Sequence, residues 1–353
     1  MVPGPVAVAP GIMNVGRVNY GSADLEDEFF ELYARTEQHL QKILGTTHRV
    51  VMQTGEGMLA LWSALKSSLV PGDRVLSLAT GVFGYGIADM ARSMGCEVKI
   101  VGLPYNETIS DLSDIEYAIS DFTPKMITVV HCETPSGTLN PLQGLGILKK
   151  SSRVPLLYVD AVASAGGTPV QADKWNIDLC LGGSQKCLSA PADMAFLSVS
   201  DRAWEIIEQV NYIGYDALKP YHSALEDRYF PYTPNWHGVA QLYAAAEILL
   251  NEGLQLCFER HDRVAHFCRR ELAALGLSLY PAAHAQPSPT VTAVNIPSGV
   301  SWHDFDTALR KHGLVVAGSY GPLAGKIFRM GHMGTQADMV LVAEALDVIA
   351  KVV

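Results

Sequence analysis

Two charged side chains stand at the ends of apolar runs, where an ionisable group is best placed to do chemistry. Asp160 closes Pro155-Leu-Leu-Tyr-Val-Asp160, and Lys186 follows Asp178-Leu-Cys-Leu-Gly-Gly183 within Ser184-Gln185-Lys186. A lysine carried by a buried strand into a Gly/Ser-flanked turn is poorly hydrated. Its pKa falls, and its neutral amine becomes available to attack a carbonyl. An aspartate at a neighbouring strand end can hold a pyridine nitrogen protonated, which turns that ring into an electron sink. Alone, either residue reads as a helix cap or a solvated ammonium. Together, 26 positions apart on successive strand ends, they read as a site. Gly55-Glu56-Gly57 precedes a helical run, so helix-terminal amides could hold an anion there. That turn lacks the third glycine and the later acidic residue of a dinucleotide fingerprint, which argues against a nicotinamide cofactor. The histidines form no HxxxH or HExxH pair, so His131 and His332 read as hydrogen-bonding groups and no metal is expected.

The elements that position these residues follow from periodicity. Short aliphatic runs at 50–53, 74–78, 97–101, 126–131, 156–160, 178–182 and 195–199 alternate with helical segments such as 57–69, 83–94 and 113–121. This is the pattern of an α/β fold with a mainly parallel sheet covered by helices, whose ligand sites collect at the carboxyl ends of the strands. Past the Pro-rich stretch 230–234 the character changes. Helices are expected over 238–250 and 253–275, a strand near 290–296, a helix over 302–311, a strand at 314–317 and a closing helix over 338–352. The expected organisation is an N-terminal arm over 1–11, a large domain over 12–238 and a smaller C-terminal α+β domain over 239–353.

Composition narrows the function classes. With 26 basic against 36 acidic residues the net charge is −10, which argues against nucleic-acid and anionic-membrane partners. No run approaches the length of a membrane span and no signal peptide is evident, so a cytoplasmic protein is expected. The six cysteines show neither CxxC nor small-scaffold spacing and read as reduced, buried thiols.

Further segments carry a resemblance. Gly55-Glu-Gly57, Val75-Leu-Ser-Leu-Ala-Thr-Gly-Val-Phe-Gly84, His131-Cys-Glu-Thr-Pro-Ser-Gly-Thr-Leu-Asn-Pro141, Tyr158-Val-Asp-Ala-Val162, Ser184-Gln-Lys-Cys-Leu188 and Phe328-Arg-Met-Gly-His-Met-Gly334 occur in order across nearly the whole chain. They resemble the class V, fold-type I aminotransferases, most closely the pyridoxamine-pyruvate branch of the group that includes the alanine-glyoxylate enzymes. The resemblance implies that Lys186 forms a Schiff base with a B6 aldehyde and shuttles a proton, while Asp160 pairs with the ring nitrogen. It implies that Phe83 stacks on the ring, that Thr134 donates to the ring oxygen, and that Arg329 grips the substrate carboxylate. Gly55, Glu56, Gly57 and Thr233 are carried over as cofactor-binding residues, and Tyr320 and Tyr20 as substrate-binding residues. A homodimer with the site at its interface is implied, with a tetramer possible.

Glu56 is the informative departure from the family. A carboxylate in the turn that elsewhere holds the cofactor's 5′-phosphate would repel a dianion, at about 4 kcal/mol per pair of charges ~4 Å apart in an effective dielectric of 20. The branch it resembles shares Gly-Glu here, implying an unphosphorylated vitamer that enters as substrate. Phe230 stands where phosphate-binding relatives place a tyrosine from the neighbouring subunit. A tyrosine at 320, where the pyridoxamine branch has a second arginine, leaves the keto-acid open. The expected reaction is pyridoxamine plus pyruvate giving pyridoxal plus L-alanine. The alternatives are an alanine-glyoxylate or serine-type aminotransferase with resident pyridoxal 5′-phosphate, and a lyase or aldolase on the same fold. A cysteine desulfurase would want histidine where Gln185 stands.

Overall fold

The computed structural model describes every residue from Met1 to Val353. Its centre is a seven-stranded sheet in the order Arg49–Thr54, Met194–Val199, Leu179–Gly183, Leu156–Asp160, Met126–Val130, Arg74–Ala79 and Glu97–Gly102. Six strands run parallel and one, Met194–Val199, runs against both of its neighbours. The sheet is thus mainly parallel, as expected, and which strand is reversed could not be read in advance because periodicity within a strand carries no information on its direction.

Apart from the edge strand Glu97–Gly102, the strands are buried on both faces, and alternate side chains feed two separate cores. Val50, Met52, Leu76, Leu157, Val159 and Phe196 point into one core, closed by helices Asp27–Leu44 and Trp236–Glu252. Val51, Val75, Leu156, Leu179, Leu181 and Leu197 point into the other, closed by helices Gly57–Ser68, Val82–Ser93 and Asp201–Val210. Helices Asp27–Leu44, Gln143–Ser151 and Asp201–Val210 were not anticipated from the sequence.

The C-terminal part is built on a three-stranded antiparallel sheet ordered Val291–Asn295, Ile327–Gly331, Ala317–Gly318. Its central strand overlaps the Phe328–Gly334 motif, where no strand was expected, and the strand expected at 314–317 is confined to Ala317–Gly318. Phe328 and Met330 of that central strand join Val264, Phe305 and Leu346 in a third core. Helix Trp236–Glu252, expected to open the small domain, instead buries Val239, Leu242, Ala246 and Leu249 in the large-domain core. No helix is long and apolar enough to cross a membrane, and all six cysteines are buried and unpaired.

Candidate active site

Strand Leu156–Asp160 pairs on one side with Met126–Val130 and on the other with Leu179–Gly183, so Asp160 sits at the carboxyl edge in the middle of the sheet. One carboxylate oxygen accepts the Val162 N–H at 2.9 Å. Burial raises its pKa to about 6, opposed by the Val162 amide and Lys186 and reinforced by Glu56. A carboxylate raised in the folded state favours its protonated form there. The ionisation penalty is therefore absent below the ordinary value of 3.8 and grows as pH rises through about 6. We predict that vitamer-free Asp160→Asn melts a few degrees above the parent at about pH 8 and loses that advantage by about pH 4. Calorimetry showing a pH-independent difference would refute the assignment.

Lys186 lies in the ten residues that return strand Leu179–Gly183 into the reversed strand Met194–Val199. The Ser184 N–H donates to the Met194 carbonyl at 2.9 Å, Ala190 N–H to the Ser184 carbonyl at 3.0 Å and Ser189 N–H to the Lys186 carbonyl at 2.9 Å. The ammonium pKa is lowered by burial first and by the Arg329 cation second. Lys186 and Asp160 line one cavity of about 280 Å³, together with Glu56, Phe83, Thr134 and Cys132.

The 55–57 turn feeds helix Gly57–Ser68. Gly55 has φ +151°, a conformation that side chains rarely adopt, and its N–H donates to the Asp193 carbonyl at 2.8 Å. Gly55 shapes the turn, whereas Glu56 and Gly57 reach the cavity wall. Glu56 is the N-cap residue, and its carboxylate accepts from the Gln185 amide at 2.9 Å. A carboxylate thus stands at the helix terminus where an anion would dock, and a buried amide holds it in place.

Phe83 opens helix Val82–Ser93, whose first turn is clamped by a residue that went unnoticed in the sequence. Glu133 is fully buried and accepts from Phe83 N–H at 3.2 Å and Gly84 N–H at 2.7 Å. Burial pushes its carboxyl up to about 7, with Asp160 adding to the rise. A Cβ on Gly81 would lie 2.6 Å from the Glu133 carboxyl carbon, so glycine there admits the clamp. The signal was present as Glu133 in the His131–Pro141 motif, but nothing in spacing alone connects it to residue 83. Cys132 is buried and its thiol is pushed up to about 11, which leaves it a wall rather than a nucleophile. Cys187 is likewise buried packing. His131 Nδ1 pairs with Ser164 Oγ, and His332 bridges Thr292 Oγ1 and the Pro289 carbonyl.

Arg329 is the largest fully buried side chain. Strand alternation puts Phe328 and Met330 into the small-domain core and turns Arg329 to the opposite face. Its Nε donates to the Gly318 carbonyl at 2.7 Å, while Nη2 is buried without a partner. An unpaired buried guanidinium nitrogen is an open donor for a carboxylate. Tyr320, 54% exposed, lies under the guanidinium at 4.7 Å. Neither Arg329 nor Tyr320 is among the residues that line the cavity of Lys186 and Asp160 in this chain.

Two expected residues, Thr233 and Tyr20, lie beside other elements of this chain, as does Phe230. Thr233 is held to Asp24 at 3.4 Å beside a different crevice. Tyr20 stacks on Trp236 at 5.2 Å and donates to the Val15 carbonyl. Phe230 is buried among Phe29, Phe30 and Tyr33. Aromatic packing accounts for Tyr20 and Phe230, and the turn that follows Phe230 carries Thr233 away from the cavity.

Residues 12–333 match the class-V aminotransferase family. A pyridoxamine–pyruvate transaminase of Mesorhizobium japonicum is 34% identical, over 97% of this chain and 88% of its own. An uncharacterised aminotransferase of Methanocaldococcus jannaschii is also 34% identical, over 95% and 87%. The crystal structure of an alanine–glyoxylate aminotransferase from Nostoc sp. superimposes with a TM-score of 0.95 at 28% identity, covering 100% of this chain and 94% of that one. The chain belongs to the class V aminotransferase family. It is a transaminase of fold type I, a pyridoxal-phosphate-dependent fold acting on small molecules.

Proposed function

We propose that the enzyme transfers an amino group from pyridoxamine to pyruvate, giving pyridoxal and L-alanine. The residues present fit a B6 ring: a carboxylate with a free oxygen at the sheet edge, an aromatic side chain at one wall, a hydroxyl in Thr134, and an amine of lowered pKa. When bound, the vitamer supplies the electron sink that stabilises the carbanion next to nitrogen. Asp160 holds the ring nitrogen protonated, and the hydrophobic wall keeps water from that ion pair. Lys186 Nζ, once neutral, takes the proton from the carbon beside the transferred nitrogen and returns it to the acceptor carbon. Arg329 orients the acid through its free Nη2.

The observation that carries the vitamer assignment is the Glu56 carboxylate, fixed by Gln185 at the helix terminus where a phosphate would dock. The 34% identity to a pyridoxamine–pyruvate transaminase supports it. The likeness to an alanine–glyoxylate aminotransferase favours a second reading, with glyoxylate as acceptor and pyridoxal phosphate resident. The two separate in one experiment: the purified protein is incubated with equal pyridoxal and pyridoxal phosphate, reduced with borohydride and digested. The Lys186 peptide should carry the unphosphorylated vitamer in excess. Stoichiometric phosphorylated adduct would favour the second reading.

A further inference from the structure

Residues 2–6 cross the site as a strap pinned on both sides. On the C-terminal side the Gln336 amide donates to the Val2 carbonyl at 2.7 Å, and Gly331 N–H donates to the Met1 carbonyl at 3.0 Å. A Cβ on Gly331 would lie 2.2 Å from the Val2 carbonyl oxygen, so glycine at 331 lets the strap lie flat on the strand that carries Arg329. On the large-domain side Val6 N–H donates to the Gln185 carbonyl at 3.1 Å. Between these anchors the Lys186 amine donates to the Pro3 carbonyl at 2.7 Å, and Pro5 lines the cavity. Gly4 has φ +88°, and a Cβ there would meet Lys186 Cδ at 2.5 Å and Nζ at 2.8 Å.

We propose that this strap is a positioning device for the catalytic amine: the Pro3 carbonyl takes the place of water on Lys186, and Gly4 and Gly331 give the strap room to do so. The inference rests on Lys186 being the residue that condenses with the aldehyde. An ammonium in water satisfies three donors, whereas the strap offers one acceptor and two prolines, so it dehydrates the amine while holding its direction. The other charged or titratable groups that act on the amine are Arg329 and Tyr320 from the C-terminal side and Cys132, Cys187 and Asp160 from the large domain. Glu56 also lines the cavity wall. Displacing the strap leaves all of them in place and lets water return. Because burial outweighs the other causes acting on this amine, rehydration moves its titration upward.

The test uses vitamer-free full-length protein. Formaldehyde and cyanoborohydride methylate neutral amines, and peptide mass spectrometry follows Lys186 from about pH 6 to about pH 11, with exposed Lys351 as internal standard. Gly4→Ala and Gly331→Ala push the strap away from opposite ends. Each should raise the Lys186 midpoint by about one pH unit, roughly a tenfold loss of neutral amine at pH 7, while Lys351 does not move. A clash confined to residue 4 would leave Gly331→Ala unchanged. Gln336→Ala, which removes the amide that ties the Val2 carbonyl to the Gly331 carbonyl, serves if the glycine variants do not fold. An unmoved midpoint in the folded variants overturns the strap's role. Failure of pyridoxal to label Lys186 in the parent protein would instead overturn the amine assignment itself.

Discussion

Lys186→Ala should lose turnover by at least about 10⁴-fold and, after borohydride, should carry no vitamer on the 184–193 turn. The size of the loss follows from the roles joined in one nitrogen. In the proposed reaction the amine condenses with the aldehyde and also moves the proton, with no second base standing ready. In the proposed binding mode Asp160 pairs with the ring nitrogen, Glu56 is held by the Gln185 amide, Glu133 is committed to the amides of Phe83 and Gly84, and Cys132 holds its proton to about pH 11. Single-turnover kinetics with pyridoxamine and pyruvate would check it. Parent-like turnover in this variant would remove the amine from the mechanism altogether.

The second large effect concerns selectivity. Glu56→Ser should shift the preference between pyridoxal and its phosphate by about 100-fold toward the phosphate. At ~4 Å and an effective dielectric of 20, like charges repel by about 4 kcal/mol. Solvent at this half-buried turn screens part of that, leaving about 2–3 kcal/mol, which corresponds to roughly two decades in relative affinity. Freed of its partner, the Gln185 amide becomes a donor for the incoming phosphate, which works in the same direction. Competition titrations read the ratio directly, and an unchanged ratio would show that the carboxylate's charge does not select the vitamer.

What could be read in advance divides along physical lines. Asp160 and Lys186 were legible because each stands at the end of an apolar run and the two together, on successive strand ends, outweigh the local reading of either as a helix cap or a solvated ammonium. Helix Asp27–Leu44 was missed because its apolar stripe is broken by Thr36 and Glu37. Both are buried and satisfied by partners, the Leu32 carbonyl and the Val50 amide, that the stripe itself does not reveal. Arg329 was reachable only through resemblance, since Ile-Phe-Arg-Met-Gly has too few polar positions to show alternation. Tyr20 and Thr233 were carried over by position in a motif, and within one chain they lie against Trp236 and Asp24, while Phe230, read as a departure from the family, packs among Phe29, Phe30 and Tyr33. The strap had no signal at all: Val-Pro-Gly-Pro-Val has no period, and its significance comes from two glycines more than 300 positions apart.

The reversed strand Met194–Val199 has a consequence for how the site is assembled and maintained. Parallel neighbours must be joined through a distant crossover, but the segment bearing Lys186 doubles back at once into its own hydrogen-bonded partner, from Gly183↔Ala195 onward. The loop is therefore closed by sequence-local contacts. During refolding it should acquire amide protection early, in step with the central strands and ahead of the small-domain sheet, as pulsed deuterium labelling would reveal.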